Sequence, residues 1–290
     1  MIDLILKDIV AREVPENEVA VLLSGGMDSI SVALTAHRLG KKVTAYTFHL
    51  EGQPSYDSEM AQKVSDTFGW ECNTVEVPKG DLVAAYKRLT LKFGCRKKTH
   101  YECIFPFEFV FPHIKEKKVL TGWGADGWYG LSKKAFVNPK YLSRKSKEGF
   151  DRFRTDYFNE ESVAGHAQLT LLADSNNLEL VMPYIDHETV KDFFMSKTWD
   201  ELNNGRRVAG SRQKSVVREC FQEELQQVGK INAHTNLQLG SGINVLFETL
   251  LENTEINFKD RKRMMDVAFD WRSKSDFCLS EDSTYLRPVG

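Results

Sequence analysis

The six residues Ser24-Gly25-Gly26-Met27-Asp28-Ser29 constrain this chain more than any other stretch. They follow Val19 to Leu23, an apolar run of the kind that forms a buried parallel strand. They lead into Asp28 to Leu39, where Ile30, Ala33 and Leu34 recur at helical spacing up to a stop at Gly40. Strand, glycine turn and helix in that order put the turn at the carboxyl end of a parallel strand, where open α/β sheets bind their ligands. Paired glycines let the backbone approach an anion, and the start of the helix aims its N–H groups at it. Ser24 and Ser29 add hydroxyl donors. Asp28 adds a carboxylate at a place that attracts negative charge, which makes sense where a metal bridges it to phosphates. A ligand-free Gly-Gly turn capped by Asp and Ser is the plainer reading, and the complete string favours a pyrophosphate site over it. No Gly-Lys-Ser/Thr follows, so the loop is not of the Walker A type.

The rest of the first half keeps the same alternation. Val43 to Leu50 and Cys72 to Val77 read as strands, with helices over Asp57 to Phe68 and Leu82 to Phe93. Val119 to Thr121 reads as a short strand entering the turn Gly122-Trp123-Gly124. This β-α-β-α-β order implies an α/β fold, a doubly wound parallel sheet with right-handed crossovers. From about Asn138 helical periodicity and charge dominate, with helices expected over Ser162 to Asn176, His187 to Ser196, Gln213 to Gln227 and Asn244 to Asn253. No repeat or low-complexity linker separates the halves. The expected organisation is an α/β core over 1–135 that carries the phosphate loop and a C-terminal helical extension over 136–290, packed on the core on the substrate side.

Charge and cysteine use narrow the function. A formal net charge of -2 gives no global attraction to nucleic acid or an anionic membrane. The N-terminal Met1 to Asp8 carries charges inside its apolar stretch, as a short amphipathic helix does and a secretion signal does not. No apolar run of about 18 residues exists to span a membrane. The five cysteines, Cys72, Cys95, Cys103, Cys220 and Cys278, contain no C-x-x-C pair. Neither a zinc knuckle nor a disulfide framework is indicated, and reduced thiols in a cytoplasmic protein are the simplest reading.

The loop resembles the PP-loop signature of ATP pyrophosphatases, the nucleotide α-hydrolase-like (HUP-like) fold shared by asparagine, NAD and GMP synthetases and tRNA-thiolating enzymes. Four further stretches narrow the resemblance to the synthetase domain of asparagine synthetase. They are Thr47 to Asp57, Leu120-Thr121-Gly122-Trp123-Gly124-Ala125-Asp126-Gly127, Leu178 to Asp186, and Gln213-Lys214-Ser215-Val216-Val217-Arg218-Glu219. They occur in family order over residues 19 to 225. The resemblance implies that Leu23, Phe48 and Gly122 line the adenine and ribose, and that Ser24, Gly25, Gly26 and Ser29 hold the pyrophosphate. It implies that Asp28 and Asp126 hold Mg²⁺ and that Lys214 contacts phosphate and the adenylated intermediate. From the residues alone, a lysine on a predicted helix reads as a solvated charge. The implied chemistry is attack of a substrate carboxylate on the α-phosphate of ATP, then displacement of AMP by ammonia or an amine. A PP-loop enzyme that modifies a nucleobase or tRNA, and a non-catalytic nucleotide-binding relative, are the alternatives.

The chain departs from the family at three places. Its glutamine-hydrolysing domain is expected to be absent, since the first strand is reached by Val19; ammonia then comes free or from a separate partner. Two family glutamates are Trp123 and Gly127, and a family arginine is Val181, so the acid is expected not to be aspartate held in the usual way. Outside the motifs, Cys95 to Cys103 reads as a basic surface loop with incidental cysteines, ahead of a metal or persulfide site. Arg206, Arg207, Arg212 and Lys214 form the densest basic run, facing phosphate or, more simply, solvent. Phe105 to Pro112 reads as core, and His166 and His187 as structural.

Overall fold

The structure, a computed structural model, describes residues 1–80, 82–95, 98–131, 146–159, 165–185, 187–232, 236–248, 277–278 and 287–288. Five parallel strands form one sheet: β1 (Glu18–Leu22), β2 (Lys42–Leu50), β3 (Glu71–Val77), β4 (Lys118–Leu120) and β5 (Glu179–Val181), in the order β3-β2-β1-β4-β5. The chain steps outward from β1 through β2 to β3, then returns to place β4 on the other side of β1. The registers Val21↔Ala45 and Val21↔Leu120 fix β1 between its two neighbours. Strand order therefore reverses at β1, and the loops after β1 and β4 meet at that switch point, where a ligand crevice opens in such sheets.

Helices cover both faces. On one face lie α1 (Ile2–Glu13) and α2 (Met27–Arg38), with α3 (Tyr56–Phe68) beside them. The other face is covered by α4 (Leu82–Phe93), α5 (Lys98–Ile104), α6 (Phe107–Val110) and the short 3₁₀ turn Phe111–His113. β1 shows why the core is double: Val19 and Val21 pack into the first layer, Ala20 and Leu22 into the second. A strand buried on both faces reads as a continuous apolar run, which is how Val19 to Leu23 reads. α3 begins at Ser55, whose hydroxyl takes the Ser58 N–H at 3.2 Å in a capping box, and ends at Gly69 in the left-handed region, φ 68.

The later half supplies α7 (Ala125–Tyr129), α8 (Lys147–Asn159), α9 (His166–Asp174), α10 (Glu188–Met195), α11 (Trp199–Asn203), α12 (Ser215–Cys220), α13 (Gln222–Val228), α14 (Leu237–Gly240) and α15 (Ile243–Glu248). The chain differs from expectation in four ways. β5 joins the sheet beside β4, inside a stretch that the sequence presents as a motif rather than a strand. α8 is a helix that the charged run Lys147 to Asp156 concealed. The single helix expected over Gln213 to Gln227 is two, broken at Phe221 (φ -115), and Lys214 stands before the first of them. The stretch around Cys95 and Cys103 is not a surface loop: both thiols are buried in the second core layer, and Gln238 Nε2 donates to Cys103 Sγ at 2.8 Å. Burial pushes the Cys103 thiol far above its usual value, so it is an inert packing group. Phe105, Phe107 and Phe111 pack as core, as expected. Parts of the helices expected over Ser162 to Asn176 and Asn244 to Asn253 lie outside the described residues. Among the described residues no helix is long and apolar enough to cross a membrane.

Candidate active site

The loop after β1 is held by its own two serines. Ser29 Oγ accepts the Ser24 N–H at 3.0 Å and lies 3.0 Å from both Ser24 Oγ and Gly26 O. Ser24 Oγ accepts the Gly26 N–H at 3.2 Å. Gly26 caps α2 in an extended conformation (φ -86, ψ 147) with no side chain on the first-turn amides. Those N–H groups are the orphan donors of a helix start, free for an anion. Leu23 is buried and its N–H pairs with Tyr46 O at 2.8 Å, fixing the loop's entry. Phe48 is half-buried, its ring edge-on to Phe107 at 5.9 Å.

Gly122 brings the second loop against the first. A Cβ there would lie 2.5 Å from Asp28 C, 2.6 Å from Ser29 N and 2.7 Å from Asp28 O. Only a glycine lets the end of β4 rest on the first turn of α2. The consequence is chemical, because the turn continues through Gly124 (φ 86) to Asp126 in the first turn of α7. Lys214 completes the set: its Nζ lies 2.5 Å from Asp28 Oδ2 and 2.7 Å from Asp126 Oδ1. The three residues stand far apart in sequence and meet at the switch point. The Lys214 side chain is 3% exposed, against 16% for Asp28 and 30% for Asp126. The site therefore opens on the Asp126 side.

Lys214 is held by its backbone rather than by a helix. It occupies the left-handed region (φ 55, ψ 37), which disfavours a residue with a Cβ. Two buried side chains impose this. Asn203 Oδ1 accepts the Lys214 N–H at 3.2 Å while Asn203 Nδ2 donates to Tyr129 O at 2.9 Å. Arg218, 2% exposed, donates Nε to Gln213 O at 2.9 Å and reaches Asn232 O at 3.4 Å. Its guanidinium fixes the peptide just before Lys214. The Lys214 ammonium lies 5.4 Å from the centre of the Tyr129 ring, a favourable cation–π position.

The charges are out of balance. Two carboxylates share one ammonium in a buried place. Burial pushes the Asp28 carboxyl up to about 7, with Lys214 pulling it back and Asp126 pushing it further. Burial also works against the Lys214 ammonium, yet Asp126 and Asp28 outweigh it and hold its pKa above the ordinary lysine value. Asp28 Oδ1 is buried and has no hydrogen-bond partner among the described residues. An orphan carboxylate oxygen beside an excess of negative charge fits a divalent cation. Among the described residues no three metal-binding side chains cluster, so the protein offers no closed cage. Two carboxylates beside a phosphate loop match Mg²⁺ instead, which takes one or two carboxylates and completes its shell with phosphates and water.

Sequence reading missed several neighbours of this site. Asn203 and Arg218 act through backbone groups, which no local pattern marks. Asp57, in the first turn of α3, faces the phosphate loop: a Cβ on Gly25 would lie 3.2 Å from Asp57 Oδ1, and burial pushes this carboxyl up to about 6. Tyr157 and Phe158 of α8 fill the space beside Gly127; a Cβ there would overlap the Tyr157 ring and lie 3.0 Å from Phe158 Cζ. The family's second glutamate is thus replaced by an aromatic wall. Trp123 is half-buried, edge-on to Phe107 at 6.2 Å. Of the basic run, only Lys214 reaches the site, while Arg206, Arg207 and Arg212 are exposed. His187 lies 3.6 Å from Glu13, and His166 opens α9.

Gly127→Ala is expected to destabilise the protein by about 2 kcal/mol, since overpacking against a ring costs that much. Tyr157→Leu opens the space, so a double-mutant cycle by urea denaturation should show a favourable coupling of about 1 kcal/mol. Strict additivity would mean that the ring does not occupy that space.

The sheet, the glycine loop and the facing carboxylates define a PP-loop domain of the ATP-using class. The chain belongs to the asparagine synthase family, whose description matches residues 1–172. Lys214 lies beyond the matched stretch and joins it only in space. Among curated proteins none matches the chain. Of solved structures, the chain is similar to one described as a predicted subunit of tRNA methyltransferase from Methanocaldococcus jannaschii, at 15% identity and a TM-score of 0.34, over 75% of this chain and 93% of that one.

Proposed function

We propose that the protein is an adenylating ligase: it binds ATP at the Ser24 to Ser29 loop, activates a small-molecule carboxylate as an acyl-adenylate and transfers the acyl group to ammonia or an amine. The observation that carries this reading is the meeting of Asp28, Asp126 and Lys214 beside the uncapped start of α2. The α2 amides, Ser24 and Ser29 bind the leaving phosphates. Gly122 keeps the second loop close enough for Asp126 to act beside Asp28. Asp28 and Asp126 would hold Mg²⁺, which when bound supplies charge neutralisation at the phosphates. A carboxylate oxygen of the substrate attacks the α-phosphorus; the bond to the β-phosphate oxygen breaks and pyrophosphate leaves. The Lys214 ammonium, itself almost wholly buried, stabilises the charge that develops on that leaving group. The amine then attacks the acyl carbon and AMP departs.

The aromatic wall of Tyr157 and Phe158 occupies the place where a glutamate would take a proton from the incoming amine. The reading therefore favours a nucleophile that needs no carboxylate base at position 127. The test is incubation with ATP, Mg²⁺ and a panel of acids with ammonia or amines, following AMP and pyrophosphate. The expected result is equal amounts of both, dependent on the acid. ADP and phosphate as products, or release of pyrophosphate only when RNA replaces the acid, overturns the ligase reading.

A further inference from the structure

The Lys214 ammonium occupies the point between the two carboxylates that the proposed reading gives to a metal. It lies within hydrogen-bonding distance of one oxygen of each, and is almost wholly buried. Its backbone is held on both sides of the α-carbon: the Asn203 and Arg218 side chains bond the peptide before it, and the Arg218 backbone N–H bonds the Lys214 carbonyl after it. Only the side chain can move. Beyond the two carboxylates the ammonium lies over the Tyr129 ring, 5.4 Å from its centre, which attracts a cation but gives it no carboxylate. Leaving Asp28 and Asp126 therefore strands the ammonium unless another anion receives it. The triphosphate of the nucleotide, held by the loop next to Asp28, is such an anion.

We propose that Lys214 stands in for the divalent cation while the site is empty of nucleotide, so that the metal enters only together with ATP. This rests on the reading of Asp28 and Asp126 as the metal-binding carboxylates. In the empty site the ammonium takes one oxygen of each carboxylate, and its charge opposes a cation at the others, the orphan Asp28 Oδ1 included. When ATP arrives, its phosphates draw the ammonium away and present their own oxygens, and the freed carboxylates complete the metal's shell. The device gives the enzyme an order of binding. It also prevents a free metal ion from locking the loop in a form that lacks the nucleotide.

The arithmetic is that of a competent state in small supply. If the carboxylates are uncovered in about 1% of nucleotide-free molecules, the apparent affinity for a cation is about 100-fold weaker than the intrinsic one. The experiment measures Mn²⁺ bound by the full chain without nucleotide, by electron paramagnetic resonance of the free ion. Wild type is expected to bind Mn²⁺ about 100-fold more weakly than Lys214→Met, in which the cover is gone. Adding Asp126→Asn to Lys214→Met should remove the gain. With α,β-methylene-ATP present, wild type should bind Mn²⁺ as tightly as the single variant does without it. Equal affinity of wild type and Lys214→Met without nucleotide overturns the proposal. Where Lys214→Met does not fold, wild type alone decides: unchanged Mn²⁺ affinity with and without the analogue also overturns it. Absence of Mn²⁺ binding in every state overturns the assignment of the carboxylates, and the proposal with it. Failure of every acid to yield AMP, with the Mn²⁺ results as expected, overturns only the ligase reading.

Discussion

Asp28→Asn is expected to lower the rate of Mg²⁺-dependent pyrophosphate release by about 10³-fold, the loss seen when one charge-stabilising group is removed from a preorganised site. Asparagine has the volume of aspartate, so the loop and the start of α2 keep their packing. The carboxylate that disappears is one that burial opposes, so the fold should not weaken. Lys214 keeps its partner Asp126 at 2.7 Å. The change is therefore confined to charge. In the terms of transition-state theory, 10³-fold is about 4 kcal/mol. The measurement is a coupled pyrophosphate assay, with circular dichroism to confirm that the variant is folded. Asp57→Asn serves as the comparison: it too removes a buried carboxylate next to the loop, but one without contact to Lys214, and it should cost far less. A rate for Asp28→Asn within about tenfold of wild type, on the same scale of 1.4 kcal/mol per decade, removes Asp28 from the chemistry.

How much of this site was legible in the sequence depends on where each residue's meaning comes from. The loop could be read because strand, turn and helix are local patterns and the turn sits between them. Four of the five strands could be read for the same reason, three as largely apolar runs and β3 as a short run closed by Pro78. β5 does not, because three residues, Glu179 to Val181, carry too little pattern, and their strand character comes from pairing with β4. α8 hid its apolar residues, Phe150, Phe153 and Phe158, among charges. Lys214 shows the limit most clearly. Pattern alone puts a lysine near the start of a helix into solvent. What buries it is a left-handed turn imposed by Asn203 and Arg218, eleven and four residues away, both acting through the backbone. A family resemblance could name Lys214, whereas the residues that hold it carry no local signature. Gly127 is the converse case, since its substitution was visible in the sequence. The aromatic rings of α8 that fill the vacated volume were not.

Gly122→Ala should be the most damaging small substitution in the molecule. The added methyl would stand 2.5 to 2.7 Å from three backbone atoms of Asp28 and Ser29. A clash with a side chain can be relieved by a rotamer; a clash with backbone requires an element to move. Neither element is free to do so. β4 is registered to β1 through Ala20↔Val119 and Val21↔Leu120, in the middle of the sheet. α2 is anchored by its buried face, including Ile30, Ala33 and Leu34. Overpacking of this kind costs about 3 kcal/mol. For a chain of this size that is a fall in melting temperature of about 5 °C. Gly80→Ala, where an added methyl meets nothing within 4 Å, should leave the melting temperature within about 1 °C, a surface substitution being worth only tenths of a kcal/mol. The separation imposed on the two loops also carries Asp126 away from Asp28 and Lys214, so ATP binding followed by calorimetry should be lost together with stability, even at a temperature where the variant is folded. A Gly122→Ala protein that melts and binds ATP as wild type does would mean that the two loops do not touch, and that Asp126 is not a partner of Asp28.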